Sequence, residues 1–153
     1  MSAAQQRLVL RVALCFLAVA AALTGVPAAF FPETFYDSFP AGLSWVSNLP
    51  PYNQHLVTDV GEFYLAFTFL FAWTAATLRR AAIVPIALGW IVVQAIHFVY
   101  HVLHLENFGV ADAVAQTASL AVLLAVPVVV LALRGGAIDA EGSAAASVAR
   151  PSP

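Results

Sequence analysis

The sequence predicts an all-α protein, a four-helix transmembrane bundle with both termini in the cytoplasm. Hydrophobic residues make up 62% of the 153 residues, charged residues make up only 9%, and the mean hydropathy is +0.90. These values are far more apolar than those of a soluble domain. Four apolar stretches, each close to the roughly 20 residues that cross a bilayer, occur in the chain. They predict one membrane domain over residues 1–134.

The four predicted spans cover about residues 12–31, 60–78, 81–105 and 113–133. Arg7 and Arg11 precede the first span, so a secretory signal peptide is its alternative interpretation, although the apolar run exceeds the roughly 7–15 residues of such signals. Pro50 and Pro51 predict that the helix of the second span begins just after them. Residues 135–153 carry too little apolar pattern to order themselves, which predicts a disordered cytoplasmic tail.

The positions of the arginines predict the orientation. The positive-inside rule places arginine-rich segments in the cytoplasm, and here they are the two terminal segments and the link between spans two and three. The composition, with much alanine and arginine in place of lysine, suggests a bacterial protein, which would then be a multi-pass protein of the inner membrane. The net charge of −2 and the lack of a basic patch exclude nucleic acid as a partner. The six arginines are Arg7, Arg11, Arg79, Arg80, Arg134 and Arg150.

Two polar triplets with the same spacing occur at the end of the bundle away from the arginines. In each triplet the residues stand at i, i+4 and i+7, and at about 100° per residue they share one stripe of a helix. Spans two and three run in opposite directions, so both triplets fall at one level of the membrane and are expected to meet if the two helices face each other. The first triplet is His55, Asp59 and Glu62, and the second is His97, His101 and His104.

Two glutamines extend this polar pattern. Gln94 lies one turn before the second triplet on the same side of its helix. In span four, Asp112, Gln116 and Ser119 again follow the spacing i, i+4, i+7 from the same end of the membrane. Span four is therefore expected to supply a third wall of the polar region.

Ionisable residues inside a membrane indicate function by default. Imidazole and carboxylate groups suit Zn, Fe, Mn or Cu, so all six triplet residues are predicted metal ligands, and Asp59, Glu62 and His97 are also predicted catalytic residues. Without a metal, the same groups predict a proton-transfer isomerase or cyclase. A third interpretation of the same residues is a haem site with two of the histidines as iron ligands. Polar residues that merely hold helices together are the alternative without a function.

The leading expectation is a membrane-embedded, metal-dependent enzyme whose substrate is a lipid, isoprenoid or quinone-like molecule that enters from the bilayer. A second hypothesis is a component that handles metal ions or protons, although the inner halves of the spans are almost wholly apolar. A third is an accessory subunit without catalysis, whose polar cluster fixes helix register. The expected partners are the lipid bilayer and a lipophilic small molecule. The sequence also allows a homo-oligomer.

Part of this pattern resembles that of a known group of proteins. The run from Tyr52 to His55, the Asp59-Val60-Gly61 segment and the histidines of span three resemble short, uncharacterised four-span bacterial membrane proteins, loosely described as DoxX-like. The resemblance covers about residues 52–104, or about a third of the chain. It implies the four-span fold and a common role for these polar positions, and it leaves the reaction and the substrate open.

Overall fold

A computed structural model describes residues 1–148, and the side chains of residues 1–134. This part of the chain is helical and contains no strand. A short 3-10 turn, Leu105–Asn107, precedes the last helix. The helices are α1 (Ala3–Phe30), α2 (Pro32–Ser38), α3 (Gln54–Thr77), α4 (Arg80–Val102) and α5 (Val110–Val148).

Four of the described helices are long and apolar enough to cross a membrane. They are α1, α3, α4 and the Val110–Arg134 part of α5. Their 23 to 28 residues correspond to about 35–42 Å of helix, which exceeds the roughly 30 Å of the hydrocarbon core. The predicted bundle of four apolar helices is therefore confirmed.

The contact between α1 and α3 is the closest in the bundle. A Cβ atom added to Gly61 would lie 2.3 Å from the backbone nitrogen of Ala29, and one added to Gly25 would lie 3.0 Å from the backbone nitrogen of Leu65. Because both positions are glycine, the two backbones touch without intervening side chains. This contact fixes the rotation of α3 about its own axis, with Gly61 and Tyr64 turned inward and buried.

The opposite side of the bundle is assembled differently. Helix α4 packs mainly against α5, and α1 also contacts α5. Helices α3 and α4 meet chiefly through large rings: Trp90 of α4 has its ring centroid 5.6 Å from that of Tyr64, 5.1 Å from that of Phe67 and 5.2 Å from that of Phe71. Edge-to-face ring pairs of this kind stabilise a core. The indole nitrogen of Trp90 also donates a hydrogen bond to the carbonyl of Leu123 in α5.

The ends of α3 follow local sequence signals. The side chain of Asn53 accepts a hydrogen bond from the backbone nitrogen of Leu56 and caps the helix, so α3 begins at Gln54, shortly after the two prolines. Helix α3 ends where Leu78 adopts a left-handed conformation. Only Leu78 and Arg79 separate α3 from α4.

The last helix extends into the segment that the sequence predicts to be a tail. Helix α5 continues beyond Arg134 to Val148, whereas the sequence predicts a disordered segment from residue 135. The segment is rich in alanine, the strongest helix former, and this explains its helical backbone. Residues 149–153, the rest of the predicted tail, lie outside the described residues.

Candidate functional site

The candidate site lies inside the bundle at the end that carries Glu33, Asp37, Glu106 and Asp112, here called the acidic end. Its centre is formed by His97 and His101, one turn apart on the inward face of α4, with ring centroids 4.6 Å apart. His97 lies 17 residues after Arg80, which is about 25 Å along the helix and less than the roughly 30 Å thickness of a hydrocarbon core. Both imidazole side chains are half-buried.

Helix α3 contributes Tyr64 to this centre. The phenolic oxygen of Tyr64 lies 3.4 Å from Nδ1 of His97, at the outer limit of a hydrogen bond. Tyr64 is 8% exposed. Its hydroxyl can either donate to a bare Nδ1 or accept a hydrogen from it, so the tautomer of His97 decides which ring nitrogen is left as a base.

Two amide side chains line the same region. Gln94 of α4 is 1% exposed and Gln116 of α5 is 2% exposed. The amide of Gln116 faces the ring of His101, but the two groups do not form a well-aligned hydrogen bond. Within residues 1–134, the nitrogen and oxygen of both amides and Nδ1 of His101 are buried without a hydrogen-bond partner. The site therefore contains five buried polar atoms without a well-aligned hydrogen bond.

Trp90 closes the site towards the arginine-bearing side of the membrane. It is fully buried and lies one turn before Gln94 on the same face of α4. Below it the core is apolar, with Phe71, Ile83 and Val130 all buried. The polar region thus has an aromatic floor.

The segment between α2 and α3 lies across the acidic end. The indole nitrogen of Trp45 donates a hydrogen bond of 3.0 Å to Oδ1 of Asp112, one turn before Gln116 on α5. Next to this segment, partial burial and the nearby carboxylates of Glu33 and Asp37 raise the pKa of Tyr52. The Trp45–Asp112 bond ties this segment to the helix that carries Gln116.

The first predicted triplet lies elsewhere. His55 and Asp59 form an ion pair of 3.3 Å, with 88% and 41% of their side chains exposed, and Glu62 is also exposed. Their stripe is on the face of α3 opposite to Tyr64, because the Gly61 contact turns that other face inward. The structure therefore brings His55 and Asp59 together but does not bring the first triplet to the histidines of α4.

The third histidine of the second triplet also leaves the centre. His104 follows the end of α4 and stacks on Tyr100, with ring centroids 4.2 Å apart. Its Nδ1 lies 2.7 Å from the carbonyl oxygen of Tyr100. Of the six predicted ligands, only His97 and His101 lie in the interior site. In the described part of the chain, no group of three or more His, Cys, Asp or Glu residues is placed to hold a metal ion.

The chain matches no protein-family model, no curated protein and no solved structure. The DoxX-like resemblance therefore stays a prediction. The candidate site has to be interpreted from its own residues.

The sequence pattern assigns no role in the site to Tyr64 or to Trp45. Tyr64 occupies the same inward stripe as Gly61 and Phe71, and the period of that buried stripe could have identified it. The pairing of Trp45 with Asp112 joins residues 67 positions apart, and no local signal predicts it. The two glutamines, in contrast, follow directly from the helical spacing.

Proposed function

We propose that the protein is a membrane-embedded enzyme that transfers a proton on a lipophilic substrate, an isomerase or cyclase that needs no metal. The polar head of the substrate would lie among Tyr64, His97 and Gln116, and its hydrocarbon part would stay in the bilayer. The host is inferred to be a bacterial inner membrane, with both termini cytoplasmic and the acidic end outside.

The contact between Tyr64 and His97 carries this proposal. When Nδ1 of His97 carries the hydrogen, it donates a hydrogen bond to the hydroxyl oxygen of Tyr64. Nε2 is then free to take a proton from the substrate. The imidazolium can return that proton to a different carbon of the same molecule, so the product is an isomer and no oxidant or reductant is consumed. Asp59 and Glu62 are left out of this mechanism because they lie on the other face of α3, where Asp59 is partly exposed and Glu62 is exposed.

Incorporation of solvent deuterium tests this function for any lipid substrate of the membrane. Membranes that contain the protein are incubated with bacterial lipid extract in D₂O, and the lipids are then washed in H₂O and examined by mass spectrometry. An enzyme that moves a carbon-bound proton leaves deuterium in one lipid species, because C–D bonds survive the wash. We expect this label with the wild type and about a hundredfold less with His97→Gln, in line with the loss of a general base.

A control variant distinguishes an effect at the interior site from an effect at the exposed triplet. His55→Gln makes the same substitution at an exposed histidine and should leave the labelling unchanged. If no lipid gains deuterium above membranes without the protein, the proposed reaction is wrong. An equal loss of deuterium labelling in the His55 and His97 variants would show that the reaction does not take place at the interior site.

A metal-dependent form of the enzyme is the second candidate, and the observation that favours it is the 4.6 Å separation of the His97 and His101 rings. Two histidines at i and i+4 of one helix can chelate one ion. Elemental analysis of protein purified in mild detergent tests this form. It requires one equivalent of Zn, Fe, Mn or Cu that is lost in His101→Ala but kept in His55→Ala.

A further inference from the structure

Two buried glutamines, one on each of two helices that pack together, have polar atoms without a hydrogen-bond partner. Gln94 belongs to α4 and Gln116 to α5, and both side chains are at least 98% buried. Each amide has a donor nitrogen and an acceptor oxygen, and all four of these atoms lack a partner within the described side chains. Buried polar groups in native proteins are normally hydrogen-bonded. An occupant that supplies both donors and acceptors would satisfy the two amides.

The surroundings indicate that this occupant is uncharged. The chain has no lysine, and all six arginines lie at the opposite end of the bundle or in the termini. The nearest carboxylate on α5, Asp112, already accepts a hydrogen bond from Trp45. A phosphate group placed against the amides would lose its hydration without a lysine or arginine beside it, which is strongly unfavourable. An ammonium group has no acceptor for the hydrogens that the two amide nitrogens donate.

We propose that Gln94 and Gln116 form a subsite for the uncharged head of a lipophilic molecule, a carboxamide, carbonyl or hydroxyl group. A carboxamide head matches both amides, since it accepts through its oxygen and donates through its nitrogen. The unpartnered Nδ1 of His101 provides a further contact. This subsite deepens the proposed function, because the same molecule would then present its reactive carbon to His97.

Binding of three amphiphiles with the same chain tests the subsite. Decanamide is neutral, decyl phosphate is anionic and decyltrimethylammonium is cationic, so only the head group varies. Native mass spectrometry of the full chain released from detergent gives the stoichiometry and relative affinity of each. We expect one decanamide per chain, bound at least about tenfold more tightly than either charged probe, as is typical of a site built to hydrogen-bond its ligand.

Replacement of the amides should abolish this preference. In Gln94→Leu/Gln116→Leu, decanamide is expected to lose about tenfold in affinity while the charged probes change little. Gln54→Leu makes the same change at an exposed residue at the start of α3 and should bind as the wild type does. Gln94→Met, which keeps the length of the side chain, serves as a second variant if the double variant does not fold.

The outcomes distinguish a ligand site from a site filled by water or used only for packing. Equal binding of the three probes overturns the subsite, as does a full preference for decanamide in the double variant or in Gln94→Met. A melting temperature that falls while the preference stays would make the glutamines structural. Deuterium transfer is measured separately, so a neutral-head preference without labelled lipid would retain the subsite and reject the proposed enzyme.

Discussion

The two polar triplets have the same spacing and lie at the same end of the bundle, yet their environments are opposite. On α4, His97 and His101 face Tyr64 and Gln116 in the interior. On α3, the corresponding stripe is exposed and begins with His55, which is 88% exposed. Periodicity shows which residues share a face of a helix, but packing decides which face turns inward. For α3, that decision depends on Gly61.

The largest expected effect is that of a side chain at position 61. Gly61→Ala places a methyl group 2.3 Å from the backbone of Ala29, which cannot move aside as a flexible side chain could. We expect a loss of about 3 kcal/mol in the free energy of unfolding, measured by SDS titration of the purified protein. The same change should disturb the rotation of α3 that keeps His55 exposed and Tyr64 buried.

Gly89 of α4 provides the matched control. A Cβ atom there would meet only the ring of Phe67, at 3.8 Å, which is ordinary van der Waals contact. Gly89→Ala should keep or raise stability, because alanine is a better helix former than glycine by about 1 kcal/mol. Similar destabilisation by both substitutions would show that the backbone contact of α1 with α3 is not the decisive one.

Thiol labelling measures the contrast between the triplets directly. In a Cys15→Ala background, His55→Cys should react with a membrane-impermeant maleimide at least about tenfold faster than His97→Cys, because thiol reactivity depends on exposure and ionisation. Labelling of His55→Cys in intact cells would also place the acidic end outside. Rapid labelling only after lysis contradicts that orientation, and equal rates contradict the difference in burial.

A smaller effect is expected at the acidic end. Asp112→Asn weakens the hydrogen bond from Trp45 and should lower the free energy of unfolding by about 1 kcal/mol. It should also make the segment between α2 and α3 more sensitive to added protease. Glu106→Gln, at an exposed residue of the same end, should change neither quantity.

The smallest effect is expected for the exposed triplet. The pair of His55 and Asp59 is an exposed i, i+4 pair, and such pairs contribute about 0.3–0.5 kcal/mol. Asp59→Asn should therefore change the free energy of unfolding by less than about 0.5 kcal/mol in the same SDS titration. A loss several times larger would mean that this face of α3 is covered in the membrane, for example by a second copy of the chain.

The sequence predicts the helices well because the signal for a span is length and apolarity, and both are properties of one segment. It also predicts the shared level of the polar residues, since Gln94, His97 and Gln116 follow from helical spacing and antiparallel order. It does not predict the rotation of α3, which results from the contact of Gly61 with a distant helix. For the same reason, the bond between Trp45 and Asp112 has no counterpart in the local sequence.

The contacts of α3 with α1 and with α4 should diverge at different rates in evolution. At position 61, any side chain collides with backbone, so no neighbouring substitution can compensate for one there. Around Trp90, three rings meet, and a smaller ring at one position can be offset by a larger one at another. Descendants of this sequence should therefore keep glycine at 61 while exchanging Phe67 and Phe71 more readily.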